Sequence, residues 1–225
     1  MPRIAIVAAL FVAASLSTAT AKKKQLPVYF DSPCTCKNNH MEDRKAAKND
    51  PATLPGQASK FIKVTPSTMY GWPPLPGLSD KSPRKPQEQQ WCKVEGRVID
   101  VRVQADGDIH FELQDVTGTK RGHILAEVPF GRYWCDLRKT VFSWTTKGTR
   151  FKRFQAAARL QLQKQPIVTV SGKRFFDTHH ARKNPLLNIS NNNKTGVLAA
   201  WEIHPVSAIT ADRSLFPDEV LGNHR

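Results

Sequence analysis

From Trp91 onward, apolar and polar residues alternate with a period of two over several stretches, which is the signature of half-buried strands. Trp91 to Val103 is one long run, alternating at Val94 and from Arg97 to Val103, with Gly96 where a strand can bend. Asp106-Gly107 is a strong hairpin signal, with Asp106 and Asp108 serving the turn. A second strand follows at Ile109 to Leu113, placing Ile109, Phe111 and Leu113 on one face and His110 and Glu112 on the other. A third, Gly122 to Val128, is closed by Pro129. The period then lengthens: Phe151, Phe154, Ala158 and Leu162 recur near helical spacing. With Thr149 as cap and Lys152, Arg153, Arg159 and Lys164 on the opposite side, they predict a helix over Thr149 to Gln163. Pro166 to Gly172 predicts a fourth strand running towards Phe175-Phe176, and Ala199 to Ile209 a fifth. Three strands, a helix and two strands fit a mainly β domain. The pattern is that of a five-stranded Greek-key barrel of the oligonucleotide/oligosaccharide-binding (OB) type, with its helix between strands three and four.

Ahead of Trp91 the pattern is different. Residues 1–21 read as a secretory signal: Arg3 gives the positive start, Ile4 to Ala14 the apolar stretch, and Ala19-Thr20-Ala21 a small-residue cleavage site. This predicts a secreted or periplasmic protein cleaved near Ala21. Residues 22–90 hold ten of the sixteen prolines, a density that breaks both helices and ladders and predicts an extended basic arm. Its apolar clusters at Leu26 to Phe30, Phe61 to Val64 and Met69 to Trp72 predict that parts of it lie against the folded domain. The domain itself is expected over 91–210, with 211–225 as a tail.

Composition adds a partner class. The 225 residues carry 34 Lys and Arg against 19 Asp and Glu, a formal charge of +15, and losing the leader removes only Arg3. So basic a chain asks for a polyanion, either nucleic acid or an anionic envelope polymer. Residues 138–183 contain twelve basic residues and one acid. Cations release counterions and aromatic rings stack on bases, so Arg138, Lys139, Lys147, Arg150, Lys152, Arg153, Lys173, Arg174 and Trp144 are the expected ligand-binding residues. A solvated basic face with its aromatics in the core is the plainer alternative.

Four cysteines in an oxidising compartment imply pairing, and Cys92 with Cys135, flanking the first strands, is the expected disulfide. Cys34-x-Cys36 with His40 lacks the spacing of a closed zinc site. The residues able to do chemistry are His110, Glu112, Glu127, Asp177, His179, His180 and His204. Asp177-x-His179 suits metal ligation or general-base work with His110, Glu127 or His204 nearby. No HxH, HExxH or serine elbow accompanies it, so no metal site and no cofactor are assigned. The first expectation is a structural network in which Glu127 and Asp177 satisfy His110 and His204.

The stretches Asp106 to Phe111 (DGDIHF), Ile124 to Pro129 (ILAEVP), Val168 to Asp177 (VTVSGKRFFD) and Trp201 to Val206 (WEIHPV) resemble those of a family of secreted bacterial proteins without an established activity. The resemblance covers about residues 91–210. It departs from the pattern after Asp177, where Thr178-His179-His180-Ala181 stands in place of a His-Gly pair. It implies a secreted OB-like barrel and implies no activity. The functional expectation is therefore a polyanion-binding module, with a metal-assisted hydrolase or nuclease, or a structural envelope protein, as the alternatives.

Overall fold

A computed structural model describes residues 29–30, 32–34, 44–48, 60–104, 106–117, 122–146, 154–155, 158–181 and 198–211. Nine strands and four helices occur among them. The barrel is built from β3 (Trp91–Val103), β4 (Ile109–Gln114), β5 (His123–Val128), β8 (Ile167–Phe176) and β9 (Trp201–Ala211). Its order is β3-β4-β5-β9-β8, with β8 pairing back onto β3 to close it, and β5 runs parallel to β9. This is the closed OB-like barrel that the strand pattern predicts.

Closure depends on the length of β3. Its first half, Trp91 to Arg97, pairs with β8, and its second half, Arg97 to Val103, pairs with β4. The changeover falls beside Gly96, where a Cβ would sit 2.8 Å from the Gln114 carbonyl oxygen, so only glycine lets the backbones approach this closely. Val98, Val101, Phe111, Leu113, Ile124, Ala126, Val168 and Ile203 fill the interior. Burying these apolar side chains is the main driving force holding the strands together.

The helix of the domain is α3 (Cys135–Phe142), reached through a short 3-10 turn at Arg132–Trp134. The expectation of a helix over 149–163 is corrected. In that interval the described residues form β6 (Phe154–Gln155) and β7 (Ala158–Leu160). β7 pairs with Val101 to Val103, the stretch of β3 that β8 has left, so an open ladder edge outweighed the helical spacing. Arg159 is exposed and Leu160 buried, in keeping with strand alternation.

Residues 60–90 are part of the fold. The strand β2 (Phe61–Val64) adds in parallel to the start of β3, α2 (Pro66–Tyr70) puts Met69 into the core, and a 3-10 turn at Pro86–Gln89 leads into β3. The predicted docking of Phe61–Val64 and of Met69 is thus observed. Further upstream lie β1 (Tyr29–Phe30), paired with β6, and α1 (Lys45–Lys48). Among the described residues no helix is long and apolar enough to cross a membrane. The expected signal segment, residues 212–225, Cys36 and residues 182–197 lie outside the described residues.

The expected Cys92–Cys135 disulfide is also corrected. Cys135 pairs with Cys34, and Cys92 is a buried free thiol. The reason is topological: Cys92 sits on β3 with its side chain in the core, whereas Cys135 opens α3 next to residues 32–34. The same contact is reinforced by Arg138, whose guanidinium donates to the carbonyls of Pro33 and Pro129, the latter at 3.0 Å.

Candidate functional site

Strand alternation decides where the titratable residues go. With Phe111, Ala126 and Ile203 facing the barrel interior, their neighbours His110, Glu127, Glu202 and His204 stand on the outer face of β4, β5 and β9. His110 is the direct register partner of Glu127. Two loops add to this face: Asp108 comes from the β3–β4 turn, and Asp177 and His180 come from the start of the β8–β9 connection, where α4 (Thr178–Ala181) follows β8. In OB barrels the outer face of the second and third strands, with the 1–2 and 4–5 loops, is the usual ligand surface. Here β4 and β5 are those strands.

The row is closely knit. His204 Nδ1 lies 2.8 Å from Glu127 Oε2, and His110 Nε2 lies 2.9 Å from Glu127 Oε1. Gln104 Nε2 lies 3.1 Å from His110 Nδ1. Lys48 Nζ, carried in by α1, reaches Glu127 Oε2 at 3.2 Å. Next to this row, Asp177 accepts the His180 backbone N–H at 3.1 Å, and its other oxygen lies 3.0 Å from His180 Nδ1. Asp108 accepts the Phe130 N–H at 2.9 Å. On β8, Phe175 continues the face, with the guanidiniums of Arg44 and Arg84 over its ring at 4.6 and 5.1 Å. Arg44 in turn makes a two-pronged, fully buried pair with Glu88, both bonds 2.7 Å.

Burial makes these charges matter. Against the pull of its own burial, His110 and Lys48 hold the Glu127 carboxyl well below the usual range. Burial likewise opposes the charge on Lys48, yet Glu127, Glu202, Asp177 and Asp108 together keep the ammonium well above its ordinary value. Burial pushes Glu202 up, and the carboxylates of Glu127 and Asp177 push it further. Asp108 is raised by burial and by Asp106. The His204 ring is depressed to about 4, chiefly by burial, so at neutral pH it is uncharged and donates its Nδ1 proton to Glu127. Asp177 is lowered by His180, and His180 raised by Asp177, each in spite of burial.

Four carboxylates thus share one small buried region. Glu202 is the oddest of them: it is 1% exposed, and no donor is aligned on either of its oxygens. A buried carboxylate without donors is costly unless a proton or a cation meets it. Two sets of metal-capable atoms are in fact gathered, Asp108 with Glu127 and His204, and Asp177 with His180 and Glu202, each set within 4.8 Å. Mixed imidazole and carboxylate donors of this kind suit zinc, manganese or iron.

Sequence reasoning picked out His110, Glu127, Asp177 and His204, and the structure brings them to one face. It left His180 without a role, confined Asp108 to the turn, and missed Glu202 and Lys48. The signal for Glu202 was its place two residues before His204 on the same strand face. Lys48, in a segment read as an arm, gave none. The His179 side chain lies outside what the structure describes.

Among the described residues, those expected to bind a polyanion do not gather. Arg138 is fully buried against backbone carbonyls, and Trp144 packs edge-on against Phe111 in the core, ring centres 5.7 Å apart. Lys173 is buried, bonded to Gln89 Oε1 at 2.7 Å. Arg174 stacks between Trp72 and Trp201, at 4.9 and 5.4 Å. Lys139 remains exposed, near Asp136. Lys147, Arg150, Lys152 and Arg153 lie outside the described residues.

Compared with protein-family models, with curated proteins and with solved structures, the chain matches none of them.

Proposed function

We propose that this is a secreted metal-dependent hydrolase of phosphodiesters, working on the outer face of β4, β5 and β9 and drawn to a polyanionic substrate by its net positive charge. The observation that carries the reading is the convergence of Asp108, Glu127, Asp177, His180, Glu202 and His204 on the ligand face of an OB-like barrel. A structural network would account for the His110–Glu127–His204 bonds, but it leaves Glu202 buried without a donor.

A divalent ion held by these donors would supply a Lewis acid for a phosphoryl oxygen and an acidified water. In the reaction a water oxygen forms a bond to phosphorus while a P–O ester bond breaks. One water proton passes to a base and the departing alkoxide gains a proton. His110 and His180 border the cluster with about a tenth of each side chain in solvent, and so does Asp177. Substrate would therefore approach on that side.

The test is hydrolysis of bis(p-nitrophenyl) phosphate and of single-stranded oligonucleotides by metal-stripped protein given back Mn²⁺, Zn²⁺, Mg²⁺ or Ca²⁺ in turn. Activity with at least one ion, lost in Glu127→Gln, is the expected result. A wild type inactive with every ion overturns the reading. Salt-sensitive oligonucleotide binding without hydrolysis would instead favour a polyanion-binding module, for which the +15 charge is the supporting observation.

A further inference from the structure

We infer that the buried cluster is a two-metal centre, with one ion held by Asp108, Glu127 and His204 and a second by Asp177, His180 and Glu202. The inference rests on the metal-dependent reading above and adds the number of ions and the division of ligands between them.

The geometry separates the two sets. Each offers two carboxylates and one imidazole, with its ligand atoms within 4.8 Å of one another. They come from different parts of the fold. The first set uses the β3–β4 turn, β5 and the middle of β9. The second uses the residue after β8, α4 and the start of β9. Glu202 and His204, on the same face of β9, place one ligand in each set, so the sets are neighbours.

The second set also carries oxygens on which the protein aligns no donor, those of Glu202, whereas Glu127 Oε1 faces His110 Nε2 at 2.9 Å. Glu202 is 1% exposed, so bulk solvent does not reach it. The cationic groups of the cluster sit on other carboxylates than Glu202: Lys48 Nζ lies 3.2 Å from Glu127 and His180 Nδ1 3.0 Å from Asp177. Neighbouring carboxylates bridged by a pair of divalent ions are a stable arrangement, and such pairs stand about 3.5–4 Å apart. The remaining contacts suit an outer shell that orients ligands, with Gln104 on His110, His110 on Glu127, and the Phe130 N–H on Asp108.

The test uses the full mature chain, stripped with chelator and reloaded with Mn²⁺ or Zn²⁺. Metal content after desalting is read by elemental analysis and binding by calorimetry. The wild type should retain two equivalents. Asp108→Asn and Asp177→Asn should each retain one, and the Mn²⁺-loaded wild type should show the spin-coupled spectrum of a close pair, which either variant loses. Circular dichroism of each variant checks that it is folded; if either is not, Asp108→Glu or Asp177→Glu replaces it.

One equivalent in the wild type overturns the two-metal assignment while leaving a metal-dependent hydrolase standing. No bound metal overturns both. Two equivalents retained in both variants put the ions elsewhere and overturn the ligand assignment. Two equivalents without hydrolysis of any phosphodiester leave this inference standing and remove the hydrolase.

Discussion

At Cys92 burial pushes the thiol up to about 12, so neither exposure nor ionisation favours reaction. Native protein should leave Cys92 unmodified by a maleimide at pH 8 and label it fully in denaturant. Peptide mapping of the same sample without reductant should recover Cys34 joined to Cys135. The Arg44–Glu88 pair makes a second prediction at this scale. Both side chains are buried and doubly bonded to each other, so Glu88→Ala strands a guanidinium in the interior. Its cost should be about 3–5 kcal/mol in denaturant unfolding. Lys48 behaves differently, because its ammonium competes with any cation for Glu127. Lys48→Met should tighten Mn²⁺ binding about tenfold by calorimetry, equivalent to about 1.4 kcal/mol.

Among the elements, β8 and β9 form the most irregular pair, and the irregularity aims the site. Their register shifts on both sides of Gly172, and a Cβ there would lie 2.4 Å from both the Ile203 side chain and the Pro205 carbonyl. Gly172→Ala should therefore cost about 1–3 kcal/mol and, by displacing β9 between Ile203 and Pro205, weaken metal binding as well. Urea unfolding and calorimetry on the one variant measure both effects. Helix α3 is fixed at its start by the Cys34–Cys135 bond and the Arg138 contacts, so a basic residue from the supposed ligand stripe is a fastener of the fold.

For the molecule as a whole, metal loading and folding are linked. Ions that bind only the folded cluster stabilise it by about 2.7 kcal/mol per site at a hundredfold excess over Kd. Thermal melts should accordingly shift upward with Mn²⁺ and fall back with chelator, and the shift should shrink in Asp177→Asn. The net charge is a property of this same scale. With Arg138 and Lys173 buried and Arg174 stacked on tryptophans, the described part of residues 138–183 does not form one basic groove. The charge acts as a long-range attraction for anions, screened by salt.

Read by itself, the chain determined most of the barrel. Alternation at Val94, Phe111 and Leu113 and the Asp106-Gly107 turn are local signals, and the structure uses each of them; Gly96 serves a close approach of backbones. His110, Glu127, Asp177 and His204 stood out because imidazoles and carboxylates on strands demand partners. The tertiary structure alone decided the rest. β7 became a strand because β3 had an open edge there, and Cys34 took Cys135 because α3 starts beside it. Glu202 became a candidate ligand because barrel closure laid the outer faces of β5 and β9 side by side. Lys48 entered the cluster from more than seventy residues away along the chain. Such meetings depend on contacts distant in sequence, which no local period records.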